Sequence, residues 1–182
     1  MEVFEAIKGR RSVRKYKSTP VTDEDVNAVL EAARLAPSWA NTQCARYIVV
    51  RDAVTKAKLA EVMVPPTPAV TAMREAPVVI VACAELGKSG YKKGFAVTNK
   101  GDWFMFDVAL AMQNLALAAY SRGLGTVHVG IFDAKKVEEI LGIPEGVAVV
   151  EMTPLGYPDE APEAPPRKEL SELVFYESYG RR

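Results

Sequence analysis

Two cysteines and one histidine are all that the 182-residue chain offers to thiol or imidazole chemistry. Cys44 and Cys83 lie far apart, in neither a CxxC nor a zinc spacing. That argues against a disulfide scaffold and favours a reducing compartment, the cytoplasm. With His128 as the sole histidine, a multi-histidine metal site is excluded, and a Ser-His-Asp hydrolase would have to use this one residue. No GxSxG elbow occurs. A surplus of one charge is missing too: 23 Lys and Arg balance 23 Asp and Glu, so the whole molecule has no electrostatic pull on nucleic acid. The longest charge-free apolar run, 108–120, is too short to cross a membrane and contains Gln113 and Asn114. The opening Met-Glu-Val-Phe-Glu lacks the basic and apolar regions of a signal peptide. A soluble, intracellular protein is expected, with neither membrane nor nucleic acid as partner.

Two phosphate-binding motifs fail on single residues. Residues 82–89 end in Gly-Lys-Ser like a P-loop, but Ala82 stands where the first glycine must permit the turn. Gly123-Leu-Gly125 follows a helical pattern rather than a strand, and His128 occupies the third glycine position of a dinucleotide fingerprint. His128 falls in a strand-like run and reads as a structural histidine. The cysteines read as structural thiols, with no neighbour to activate them.

What is present has globular composition and a mixture of helical and strand periods. A short helix over 2–8 would stop at Gly9, and residues 10–14 should be loop or extended. The next helix starts at Thr22, where Thr22 and Asp25 suggest a capping box and Val21 and Val26 a hydrophobic staple. Its apolar stripe is Val26, Val29, Leu30, Ala33 and Ala36, and Pro37 ends it. Runs 47–50 and 78–84 read as buried strands, separated by a helix over 54–63 and a turn at Pro65, Pro66 and Pro68. A long helix should run from an N-cap at Asp102 to Arg122, with Gly123 and Leu124 closing it. Apolar on nearly every face, it must be enclosed or shared between subunits. Asp107, Asn114 and Ser121 share one face of it and need partners, read here as structural. Strands over 126–129 and 147–152 flank a helix capped by Asp133 and stopped by Gly142. From Pro158 the chain is proline-rich and polar until an apolar stretch at 170–176.

Six basic residues crowd the segment from Lys8 to Lys17: those two, Arg10, Arg11, Arg14 and Lys15. They fit a solvated or nucleic-acid-binding face, or a phosphate cradle in which arginine forks and the Ser12 hydroxyl grip paired oxygens. The rest of the pattern favours the cradle. Arg10-Arg-Ser-Val-Arg14 is followed by Ala36-Pro-Ser-Trp-Ala-Asn-Thr-Gln43, the long helix from Asp107, Gly123-Leu-Gly-Thr126 and Gly130-Ile-Phe-Asp133. Leu141-Gly-Ile-Pro144, Leu155-Gly-Tyr-Pro158 and Pro166-Arg-Lys-Glu-Leu170 complete the series. In this order the elements resemble the nitroreductase family of FMN-dependent oxidoreductases over essentially the whole chain.

The resemblance implies an α+β fold with a central mixed β-sheet flanked by helices, in an intertwined homodimer with FMN at the interface. A single domain would span 1–182, its extension 158–182 wrapping the partner subunit. Arg10, Arg11, Ser12 and Arg14 match the FMN-binding segment, with Arg10 and Ser12 on phosphate and Arg14 nearer the pyrimidine. Arg167 and Lys168 match a C-terminal basic pair that reaches the phosphate. Pro37, Ser38, Trp39 and Asn41 match a segment bordering the flavin, in the family usually the partner's, and Val129 and Gly130 match the turn beside flavin N5. The implied activity is transfer of hydride from NADH or NADPH through FMN to a nitroaromatic, a quinone or another flavin by a ping-pong mechanism. Reductive dehalogenation, flavin degradation and flavin binding without fast turnover are the alternatives on the same fold. Cys44-Ala45 replace the family's usual Pro-Trp after Gln43, and only Thr67 and Thr71 offer polar contacts before residue 78. The loop 88–101 is the expected substrate-proximal insertion.

Overall fold

A computed structural model describes residues 1–63 and 67–182. Among the described residues the α-helices are α1 (Val3–Gly9), α2 (Asp23–Arg34), α3 (Ala53–Glu61), α4 (Ala69–Glu75), α5 (Phe104–Ser121), α6 (Ala134–Leu141) and α7 (Leu170–Leu173), with one 3-10 turn at Trp39–Asn41. The strands are β1 (Ala45–Val50), β2 (Val78–Glu85), β3 (Tyr91–Lys92), β4 (Phe95–Ala96), β5 (Gly125–Thr126) and β6 (Val147–Gly156). The main sheet runs β1-β2-β6-β5, and all its strands pair antiparallel. The mixed sheet expected from the sequence is therefore corrected. Among the described residues the parallel pairing is confined to one bridge, Ser12 to Thr126.

β2 is the axis of the fold. Val78, Ile80, Ala82 and Ala84 face one core cluster, with α2 and α5; Val79, Val81 and Cys83 face the other, with α3, α4 and α6. A strand with both faces covered must be apolar at every position, which is why no alternation shows in its sequence. Burying a side chain such as Ile80 is worth about 1.5–3 kcal/mol. A bulge in β6 opposite Ala82 and Cys83 shifts the register near Glu151.

Local signals set most helix ends. Thr22 accepts from the Asp25 amide at 3.0 Å and Asp133 from the Lys136 amide at 3.2 Å. Gly123, at φ 76°, closes α5: its N–H donates to Tyr120 and that of Leu124 to Ala119, a Schellman arrangement. Three local expectations change. Asp25 turns its carboxylate to Arg122 (2.7 Å), completing half a capping box. Asp102 is displaced from the N-cap by Trp103 and accepts instead from the amides of Phe104 and Gly87. Gly9 is the last residue of α1, and its lack of a side chain serves packing: a Cβ there would stand 2.1 Å from the Tyr120 hydroxyl. The strand expected at 126–129 is β5 followed by a bridge from Val129 to Met152. Of the proline turn, Pro65 and Pro66 lie outside the described residues, and Pro68 is the N-cap of α4. No helix among the described residues is long and apolar enough to cross a membrane.

Candidate functional site

The N-terminal basic segment is held as an added strand on the edge of the sheet. Val13 N–H donates to Thr126 O at 2.9 Å, and Gly125 allows the approach, since a Cβ there would meet Val13 at 2.8 Å. On the other side the tail is laced to the same segment. Lys17 N–H donates to Tyr157 O and Asp159 N–H to Lys15 O, each at 2.9 Å, and the Glu160 carboxylate accepts from the amides of Arg14 and Lys15. Tyr16, buried beneath, donates its hydroxyl to Val13 O at 2.7 Å. Burial first, then the Glu160 charge, hold that phenol far above its ordinary pKa, so it stays a neutral hydrogen-bonding prop.

The lacing gathers cations. Arg10, Arg11, Ser12, Arg14 and Arg167 line one cleft of about 310 Å³, together with Glu163 and two tail prolines. Among the described residues none of the four guanidiniums pairs with a carboxylate side chain. Arg11 donates to the carbonyls of Lys8 and Arg10 at the end of α1, where a cation also suits the helix dipole. Arg14 Nη1 donates to Ser12 O at 3.3 Å and Arg167 to the carbonyls of Pro165 and Pro166. Lys168, next in the chain, lines neither this cleft nor the trough beyond it.

Arg14 also lines a second hollow, a trough of about 370 Å³. Its walls are mainly apolar, from Met63, Pro68, Ala69, Val127, Val129 and Ile131, with Thr67, His128 and Gly130 between them. A Cβ on Gly130 would meet nothing within 4 Å, so the backbone there is open to a ligand. A planar, largely apolar ring with an anionic tail matches these two hollows, which share Arg14: apolar walls and open backbone in one, four arginines in the other.

Residues 37–41 sit elsewhere. Pro37 and Ser38 border a separate cavity of about 380 Å³ with Arg34, Arg46, Tyr47 and Asp107, and Trp39 and Asn41 line neither cleft nor trough. The loop is tightly specified. Ala40, Asn41 and Gln43 all have positive φ, a conformation that non-glycine residues adopt only when held. Buried Asp107 holds it, accepting from Trp39 N–H at 2.8 Å and the Thr42 hydroxyl at 3.4 Å. Ser38 Oγ accepts from Gln43 N–H. Asp107 and Asn114, which donates to Ala32 O at 3.2 Å, thus have the structural partners their spacing required. Cys44 also faces Asp107, and burial followed by that charge pushes its thiol up to about 11. Burial does the same for Cys83, also to about 11. Both are protonated near neutrality and serve packing.

A family model, the nitroreductase family, matches residues 7–157. The chain belongs to the nitroreductase family. It is 36% identical over 166 residues to a protein of Methanothermobacter thermautotrophicus provisionally named an NADH dehydrogenase/NAD(P)H nitroreductase, with 89% of this chain and 80% of that protein covered. A nitroreductase family protein from Clostridium novyi NT superposes with TM-score 0.79 at 31% identity, covering 100% of this chain and 96% of that one. The NADPH:FMN oxidoreductase of Vibrio harveyi, solved in complex with NAD+, superposes with TM-score 0.82 at 29% identity, covering 99% and 79%. Within this nitroreductase framework several site features had no local signal. Glu160 is an ordinary acidic residue until the tail folds back, and Met63 and Ile131 resemble any core residue. The 88–101 loop forms the β3–β4 hairpin and contributes nothing to cleft or trough.

Proposed function

We propose that the protein is a cytoplasmic, homodimeric, FMN-dependent oxidoreductase that takes hydride from NADH or NADPH and passes it to a nitroaromatic, a quinone or another flavin. One observation carries the reading: Arg14 borders both the cleft of Arg10, Arg11, Ser12 and Arg167 and a mainly apolar trough that Val129 and Gly130 help to line. The Vibrio relative, an NADPH:FMN oxidoreductase solved with NAD+, supports the cofactor and donor classes. Free, buried cysteines suit the reducing compartment.

When bound, FMN supplies the two-electron redox change, and the chain supplies position and charge. Arg10, Arg11, Ser12 and Arg167 would hold the phosphate, and Lys168 lies outside this set. Arg14, at the junction, would place a fixed cation on the pyrimidine side, where negative charge develops on reduction. The backbone at Val129 and Gly130 would meet the N5 edge without a side chain in the way. Pro37, Ser38, Trp39 and Asn41, rigidly presented yet remote from the trough of their own chain, would cover the flavin of a second copy. That arrangement gives a single domain over 1–182 whose tail, 158–182, crosses the partner. The exposed apolar side chains of Leu170, Leu173, Tyr176 and Tyr179 favour it. With one pocket for donor and acceptor, turnover would be ping-pong.

Acid release and chromatography of the flavin from purified protein test the cofactor, with FMN at about one per chain expected. Anaerobic NADH or NADPH should then bleach it, and a quinone should restore the colour. Bound FAD, or no flavin uptake on reconstitution, would overturn the cofactor; FMN that neither nicotinamide reduces would overturn the activity.

A further inference from the structure

The trough carries the only histidine of the chain on its lining. His128 lies between Val127 and Val129, both in the core cluster, so alternation turns its imidazole off that core. There Nδ1 stands 2.8 Å from Glu151 Oε1. The carboxylate accepts, so the neutral ring keeps its proton on Nδ1. The imidazole side chain is 38% exposed, and a proton can therefore exchange with solvent.

We propose that the His128–Glu151 pair is a pH-responsive charge that tunes the reduction potential of the bound flavin. It rests on the flavin reading above. With the imidazole protonated the pair is neutral; without that proton it carries one negative charge. A bound flavin that accepted a hydride, two electrons and one proton, from NAD(P)H would add negative charge to the trough. The imidazole would bind a proton from solvent more tightly while that charge is present, and release the excess when a two-electron acceptor reoxidises the site. Among the described residues the other charged group on the trough is Arg14, a guanidinium that keeps its charge throughout. Met63, Thr67, Pro68 and Ala69, on the facing side, do not titrate.

The sign follows. The protonated pair favours the reduced state, so the potential is higher with the imidazole protonated than with it neutral. Linkage makes the effect reciprocal: reduction must tighten proton binding by the same factor. A tenfold effect is one unit in the histidine midpoint, or about 30 mV for a two-electron couple.

The test uses FMN-loaded, full-length protein. Its potential is recorded from about pH 5 to 9, and the single imidazole is followed by NMR in the oxidised and dithionite-reduced states. The native protein should show an inflection that His128→Gln removes, Glu151→Gln moves to lower pH, and His128→Lys replaces with a high potential throughout. The histidine midpoint should rise by about one unit on reduction, the same tenfold factor. Identical potential curves for native and His128→Gln protein, or a midpoint indifferent to reduction, would overturn the proposal while leaving the flavin reading intact. A protein that takes up no flavin would overturn that reading and this proposal together.

Discussion

β2 and the C-terminal tail are both rich in large apolar residues, yet they end in opposite surroundings. Seven of the eight β2 residues are buried, whereas Leu170 is 76% exposed and Tyr179 94%. β2 has hydrogen-bonded neighbours on both edges and a packed cluster on each face. The end of the tail has one four-residue helix, none of whose residues is buried. The interior is packed within one chain, whereas the surface around α1, the start of α5 and the tail carries further exposed apolar side chains, Phe4, Ile7, Met105 and Phe106.

The comparison breaks most sharply if a core deletion and a tail deletion behave alike. Leu115→Ala, on the buried face of α5 in the first cluster, should cost about 2–5 kcal/mol in denaturant unfolding at any protein concentration. Leu173→Ala should cost less than about 0.5 kcal/mol for the isolated chain, with a larger loss appearing only at concentrations where copies associate. Equal, concentration-independent losses would place the tail in the core. Arg10 belongs to the surface around α1, so Arg10→Ala should weaken FMN binding by about 1.5–3 kcal/mol and leave the unfolding midpoint of the flavin-free protein almost unmoved. A DNA-retention assay run on the same preparation should show no dependence on Arg10.

The seam between the two regions is Gly9 against Tyr120. Gly9→Ala forces overpacking and should cost about 1–3 kcal/mol; in a Tyr120→Ala background the same change should be nearly neutral, which a double-mutant cycle would read. The smallest effect is electrostatic. Its hydrogen bonds to Arg122 and then Thr22 hold the Asp25 carboxyl below the usual carboxylate range. This stabilisation is present above the unfolded carboxyl pKa of about 3.9 and is lost as pH falls through the lower folded value. The melting-temperature gap between native protein and Asp25→Asn should therefore be open at neutral pH and narrow progressively in acid below about pH 4. A gap of constant size would mean that the Arg122 contact contributes nothing specific.

Much of this was legible in order along the chain because the signals are local. The continuous apolar run of β2, the Thr22 and Asp133 caps, and the Gly123-Leu124 closure of α5 each depend on residues within one or two turns. The basic segment was visible for the same reason, although six cations in ten residues fitted a solvated or nucleic-acid-binding face as well as a phosphate cradle until the rest of the pattern was added. What the tertiary structure alone decided joins residues far apart in sequence. It drew Asp25 to Arg122, made Gly9 a packing residue for Tyr120, and ran every main strand antiparallel. It also set Arg167 beside Arg10 while leaving Lys168 outside. Periodicity and caps report the free energy of one segment against water. Which guanidinium reaches a cleft, or which carboxylate clamps an amide, depends on how several segments share one small volume, and no single segment encodes that.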